Sequence, residues 1–219
     1  VIVGGTGFYI QAVLYDIHFD ENDDDKSYRT YLEQLAEKHG NLCLHQMLEK
    51  VDPASAAAIH YNNRKRVIRA LEFYKETGIP ISEHNEKESK RISPYNFEYF
   101  VLNDARSKLY DRIDRRIDIM VEQGLIEEVK ALKDQGYTKD LISMQGLGYK
   151  EILDYLDGVT SLDEALYILK RDTRHFAKRQ ITWFKREKEV TWVDKSEFTS
   201  EDNIMDFMLE QLRSKGIIS

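Results

Sequence analysis

The spacing of apolar and polar positions predicts a chain that is mostly helical. After the apolar opening Val1, Ile2 and Val3, residues 8–15 have the pattern of a short helix, and helices are expected over 27–38 and 42–50, the first ending near Gly40. Asp52 offers an N-cap with Pro53 at the first helical position, opening an alanine-rich turn that reaches Ile59. Asn63 can cap the next helix, which keeps Val67, Ile68, Leu71 and Tyr74 on its apolar side and stops at Gly78. Leu109, Ile113, Ile117 and Met120 mark a long helix over 106–123, closed by Gly124 and followed by another over 125–135. The longest helical candidate covers 161–187, and a terminal helix is expected over 201–215.

Strand signals are fewer. Val1, Ile2 and Val3 read as the tail of a buried strand feeding the glycine turn Gly4-Gly5-Thr6-Gly7. Residues 96–103 are rich in aromatic and β-branched side chains and read as a strand that returns to the same sheet, and 190–193 reads as a short one. A helical block over 18–93 therefore separates strands of one sheet. This implies a core built from 1–17 and 94–219 with an inserted helical domain at 18–93. Because the chain opens on a strand and not on an initiator methionine, further strands of that sheet are expected to precede it in the gene.

Composition narrows the class. Hydrophobic residues make up 42% and charged residues 32%, and no apolar run approaches the roughly 18 residues of a membrane span, so a soluble protein with no membrane partner is expected. Cys43 is the only cysteine, which rules out an internal disulfide and suits a cytoplasmic location. The six histidines are dispersed, without a carboxylate at ligand spacing, so no metal site is predicted within the chain.

The formal net charge of −7 averages two opposite segments. Asp16, Asp20, Glu21, Asp23, Asp24 and Asp25 face a single lysine, Lys26, in a stretch that reads as an acidic loop over 20–25. Lys170, Arg171, Arg174, Lys178, Arg179, Lys185, Arg186 and Lys188 meet only Asp172 and Glu187. In the long helix Lys170, Arg174 and Lys178 recur every fourth residue, with Phe176, Ile181, Trp183 and Phe184 interleaved. Such a helix can follow a phosphate backbone and offer stacking surfaces to unpaired bases; it can equally bury its aromatics and leave its cations in water. Arg64, Lys65, Arg66 and Arg69 suit an anion partner or a solvated flank, whereas Arg112 and Arg116 stand beside Asp114 and Asp118, which suggests local ion pairs. The glycine turn permits close approach of backbone to a phosphate, with the Thr6 hydroxyl as an added donor, but it lacks the Gly-Lys-Ser/Thr ending of a Walker A loop, which occurs nowhere in the chain.

Four blocks taken together carry a resemblance: 2–10 (IVGGTGFYI), 59–72 from Ile59-His60 to Arg69-Ala70-Leu71-Glu72, 146–150 (GLGYK), and 173–184 from Thr173-Arg174 through Ala177-Lys178-Arg179-Gln180-Ile181-Thr182-Trp183-Phe184. In order and spacing they resemble the bacterial tRNA dimethylallyltransferase family across essentially the whole chain. The resemblance implies an α/β fold, a P-loop-type core interrupted by an inserted α-helical domain, incomplete here and predominantly helical as it stands. It implies transfer of a dimethylallyl group from dimethylallyl diphosphate to N6 of the adenosine 3′ of the anticodon, with magnesium (Mg2+). The target base must leave the anticodon-loop stack to react.

By the same resemblance Thr6 sits beside the reacting centre and Arg116 reaches the diphosphate, with Gly4 and Gly5 also near it. The implied tRNA contacts are Thr6, Arg29, then Lys65, Arg66, Val67, Ile68 and Arg69, then Gln145, Gly146, Leu147, Gly148, Tyr149 and Lys150, and finally Lys178, Arg179, Gln180, Ile181, Thr182, Trp183, Phe184 and Lys185. Tyr61 stands where the family usually has proline, which removes no chemical group. The family's phosphate loop, its general-base aspartate and most Mg2+ ligands are expected upstream of Val1, so the isolated chain is expected to lack activity and to act, if at all, as a monomer on the tRNA anticodon stem-loop. An adenylate isopentenyltransferase acting on free adenine nucleotides and a non-catalytic RNA-binding module are the competing readings. The basic aromatic helix speaks against the first, since a mononucleotide needs no such surface.

Overall fold

A computed structural model describes residues 1–17 and 27–219; the acidic loop expected over 20–25 lies outside the described residues. The chain divides into two compact units, Val1–Ile10 with Tyr95–Ser219, and Gln11–Pro94. Helix α1 (Gly7–Leu14) carries the chain from the first into the second.

The 11–94 unit holds α2 (Ser27–His39), α3 (Asn41–Val51), α4 (Pro53–Ala58), α5 (Arg64–Thr77) and α6 (Ile81–Ser89). Leu32, Leu44, Leu48 and Val67 are fully buried at its centre, with Ile68, Ala70 and Leu71 beside them. Each of the leucine, isoleucine and valine side chains contributes roughly 1.5–3 kcal/mol by leaving water. Asp52 caps α4 as its sequence predicts, accepting from the Ser55 N–H at 2.9 Å, and it also accepts from the Ser82 N–H at 3.0 Å and the Ser82 hydroxyl at 2.6 Å. One buried carboxylate thereby ties α4 to the start of α6. Gly78 ends α5 in the left-handed conformation, φ 71°.

In the other unit β1 (Tyr99–Asn103) pairs in parallel with β2 (Val190–Asp194), Tyr99 opposite Val190 and Asn103 opposite Asp194. A parallel pair needs a long crossover, supplied here by α7 (Arg106–Glu122), α8 (Leu125–Asp134), α9 (Tyr149–Leu156) and α10 (Leu162–Phe184); α11 (Glu201–Ser214) follows β2. Ile117, Leu125, Val129, Met144, Ile152, Leu153 and Leu169 form the core of the four crossover helices. No helix among the described residues is long and apolar enough to cross a membrane.

One strand expectation fails. Val1, Ile2 and Val3 form no strand and are largely exposed. Apolar composition supplies the propensity, but a strand exists only through its ladder, and among the described residues β1 and β2 pair with each other alone. Helices α6 and α9 are additions to the sequence reading.

Candidate active site and nucleic-acid interface

The glycine turn leads into α1: the Thr6 carbonyl accepts the N–H groups of Tyr9 at 3.0 Å and Ile10 at 3.3 Å, leaving the Thr6 residue exposed at the helix entrance. Helix α10 packs on this turn. The Gln180 amide donates to the Gly5 carbonyl at 2.7 Å, and a Cβ added at Gly5 would collide with the Gln180 side chain, as one at Gly7 would with the Trp183 ring. Close helix approach therefore explains glycine at 5 and 7 without a phosphate, while Gly4 borders open space. Phe184, one residue beyond Trp183, meets Tyr99 of β1 edge to face at 6.3 Å.

The two halves of α10 differ in their charges. In its first half Arg174 donates to both carboxylate oxygens of Asp114 on α7, at 2.6 and 2.8 Å, Lys170 pairs with Asp118 at 2.5 Å, and Arg171 pairs with Asp172 at 2.8 Å. The expected cationic stripe of Lys170, Arg174 and Lys178 is thus corrected: two of its members brace α7 against α10. From Lys178 onward, Lys178, Arg179 and Lys185 are exposed and meet no carboxylate among the described residues. Arg179 lies over the Phe176 ring at 5.7 Å and Arg186 over the Trp183 ring at 4.5 Å. Thr182 is exposed, its hydroxyl donating to the Lys178 carbonyl, and Ile181 is half-buried.

The same interhelical pairs explain Arg116. Residues two apart on a helix point to different sides, so neither Asp114 nor Asp118 can satisfy it, and both are engaged by α10. Arg112 approaches Asp104 at 3.9 Å, whereas Arg116 is exposed and meets no carboxylate among the described residues. The local ion pairs expected for Arg116 do not form.

The segment 145–150 is more constrained. A 3-10 turn over Ile142–Gln145 leads to Gly148 with φ 100°, a conformation that suits glycine. Glu151, only 3% exposed, accepts the Gly148 N–H at 2.9 Å, and Lys150 lies between Glu151 at 3.2 Å and Asp172 at 3.8 Å. Gln145 donates to the Lys139 carbonyl, Leu147 packs into the core, and the Tyr149 hydroxyl donates to Glu128, which raises the phenol's pKa. The hydrogen bond from Arg171 holds the Asp172 carboxyl below the usual aspartate range despite partial burial, with Lys150 adding to the effect. Gly146 is exposed and open to approach.

On α5, Lys65, Arg66 and Arg69 are exposed and meet no carboxylate among the described residues; Arg64 pairs with Glu37 at 3.6 Å. Val67 and Ile68, at 0% and 3% exposure, are core residues, so their side chains are withdrawn from any RNA this face could hold. Arg29 forms two parallel hydrogen bonds to Glu72, at 2.9 and 2.7 Å, and is a neutralised cation.

Glu151 escaped the sequence reading, and Asp114 and Asp118 were read with other partners, as local mates of Arg112 and Arg116 where the structure pairs them with Arg174 and Lys170. Glu151 had a signal, since a glutamate at the third helical position often accepts the N–H at the helix entrance. The two aspartates had none, because their partners come from another helix.

A sequence profile of the family described as IPP transferase matches residues 1–187. Over 218 residues the chain is 57% identical to a tRNA dimethylallyltransferase of Lachnoclostridium phytofermentans, a match covering 100% of this chain and 70% of that protein. The crystal structure of the full-length tRNA isopentenylpyrophosphate transferase of Bacillus halodurans superposes with a TM-score of 0.62 at 45% identity, covering 98% of this chain and 67% of that one. A eukaryotic dimethylallyltransferase acting on tRNA superposes with a TM-score of 0.70 at 28% identity, over 88% of this chain and 50% of that one.

Proposed function

This chain belongs to the IPP transferase family, and from that premise we propose that it serves as a tRNA dimethylallyltransferase, moving a dimethylallyl group from dimethylallyl diphosphate to N6 of the adenosine 3′ of the anticodon. N6 attacks C1 of the prenyl group, the C1–O bond breaks, the diphosphate carries away the electron pair, and N6 gives up a proton. Negative charge gathers on the leaving diphosphate, so a cation already positioned there accelerates the step. Arg116 is the residue proposed for this, because no carboxylate among the described residues competes for its guanidinium. Thr6 and Gly4, at the exposed entrance of α1, are proposed to border the reacting centre. Gly5 is kept as a neighbour whose glycine identity already has a packing cause.

The observation that carries the reading is the run Lys178, Arg179 and Lys185, exposed and without a carboxylate among the described residues, on and just past the end of α10 that packs against the glycine turn. With Gln180 of the same helix end bonded to Gly5, this run supports a phosphate backbone held near the glycine turn. Lys65, Arg66 and Arg69 are proposed as a further contact, Gly146 and Lys150 as a third, and Arg29 as one that must share its charge with Glu72.

Among the described residues there is no group of three or more His, Cys, Asp or Glu side chains that could hold a metal ion, so these residues do not fit a magnesium site and no step is routed through one. We read the fold as a P-loop-type core, 1–17 with 94–219, interrupted by a helical tRNA-contacting insertion at 18–93. Since no Gly-Lys-Ser/Thr sequence occurs in the 219 residues, the isolated polypeptide is expected to hold RNA without turnover. A protein joining these residues to a phosphate loop, incubated with unmodified tRNA and dimethylallyl diphosphate, is expected to place the prenyl mass increment on one adenosine. Preferential modification of free AMP would overturn the substrate, and turnover by the 219-residue chain alone would overturn the expectation that it holds RNA without turnover.

A further inference from the structure

The apolar stripe of α10 runs on past the helices that bury it. Leu169 is 2% exposed in the crossover core, yet Phe176, two helical turns later and on the same face, is 41% exposed. Asp172 meets Lys150 at the entrance of α9, at 3.8 Å, and Phe176 lies one turn beyond. On its other side begin Lys178, Arg179 and Lys185, exposed and without a carboxylate among the described residues. Phe176 therefore sits between two segments proposed to hold tRNA, 145–150 and 178–185, and belongs to neither.

From this placement we propose that Phe176 and Arg179 form a stacking platform for an unpaired nucleotide of the bound RNA. The Arg179 guanidinium rests against the ring at 5.7 Å and can follow a phosphate, while the exposed ring surface accepts a base. The surrounding charge selects this occupant over an apolar peptide: Lys178 and Arg179 beside the ring meet no carboxylate among the described residues, whereas the cations of the preceding turns do. A duplex would gain the cations but not the ring, because its bases are already stacked. The proposal rests on tRNA being the substrate.

The test is equilibrium binding of the 219-residue chain to an anticodon stem-loop carrying a fluorescent adenine analogue in its loop, and to a fully paired RNA of equal length. Phe176→Ala is expected to weaken stem-loop binding by about 5- to 100-fold, with duplex binding and the salt dependence unchanged; Phe176→Tyr is expected to restore affinity and the quenching that stacking produces. Arg179→Gln is expected to weaken both RNAs and flatten the salt dependence. Equal loss for both RNAs in Phe176→Ala, or failure of Tyr to rescue, would overturn the platform. Unchanged stem-loop affinity in Phe176→Ala, with loss in Arg179→Gln, would overturn it too while leaving the tRNA reading standing. Wild-type chain that binds neither RNA would remove that reading and the platform with it. Phe176 is exposed enough for its alanine variant to fold, and a thermal melt matching the wild type verifies this.

Discussion

The two halves of α10 have similar cationic density and opposite fates. Lys170 and Arg174 end on Asp118 and Asp114 of α7, while Lys178, Arg179 and Lys185 end in solvent. The first group holds helices together, and the second is available to a ligand. Counting basic residues along a helix therefore says little about binding until it is known which of them already have a carboxylate. Among the described residues the same division recurs on α7, where Arg112 leans toward Asp104 and Arg116 meets no carboxylate, and on the helical unit, where Arg29 is engaged by Glu72 and Lys65, Arg66 and Arg69 meet none.

If pairing is what separates structural from functional cations, the largest effect belongs to Arg116. In a catalytically competent protein carrying these residues, Arg116→Ala is expected to lower kcat by about 100- to 1000-fold, while Arg112→Ala changes it little; single-turnover assays read both. Equal losses would erase the distinction on α7. On α10 a double dissociation is expected. Asp114→Ala should destabilise the chain by about 1 kcal/mol in urea melts, since it strands Arg174, with little change in RNA affinity. Lys178→Ala should leave stability within about 0.5 kcal/mol and reduce the slope of log affinity against log salt by about one. A drop in RNA affinity on removing Asp114, comparable to that for Lys178, would show the halves to be one surface.

Acid offers a subtler way to break the first half. The folded pKa of Asp172 is depressed by Arg171, and by Lys150 and His175 more weakly. Its contribution to stability is thus complete above the ordinary aspartate pKa, about 4, and is lost as pH falls through the depressed folded value. Thermal melts of wild type and Asp172→Asn should differ near neutral pH and converge as pH falls below the depressed folded value. The smallest effect is expected for Arg29→Ala, which should weaken RNA binding less than Arg69→Ala because its charge is already shared with Glu72. The reverse order in a filter-binding titration would mean that pairing does not set availability.

Much of the architecture was legible before any coordinates. The apolar repeat of Leu109, Ile113, Ile117 and Met120 predicted 106–123 and α7 runs Arg106–Glu122; the basic helix predicted over 161–187 runs Leu162–Phe184. The Asp52 cap stands where Asp-Pro announced it. Helix α9 was missed because Tyr149, Ile152, Leu153 and Leu156 make an apolar face only eight residues long, masked by the glycines before it. The strand expected at 1–3 failed for a different reason, because β-propensity cannot supply the neighbour that a ladder needs. Among the site residues, the exposed positions of Lys65, Arg66 and Arg69 followed from the helical repeat of α5, and so did the burial of Val67 and Ile68.

By itself, then, the sequence determined most of the helices, the Asp52 cap and the family, because those depend on neighbours within a few residues and on ordered motifs, whereas Asn63 begins α5 without a side-chain cap bond. It also determined how many cations the long helix carries. Only the tertiary structure decided which of them are free. Arg174 and Asp114 lie 60 residues apart, and an ion pair forms only when packing brings the two groups within about 4 Å, which no local pattern reveals. The approach of Gln180 and Trp183 to Gly5 and Gly7 was decided in the same way: glycine marked a place where something comes close, and the packing of α10 showed what.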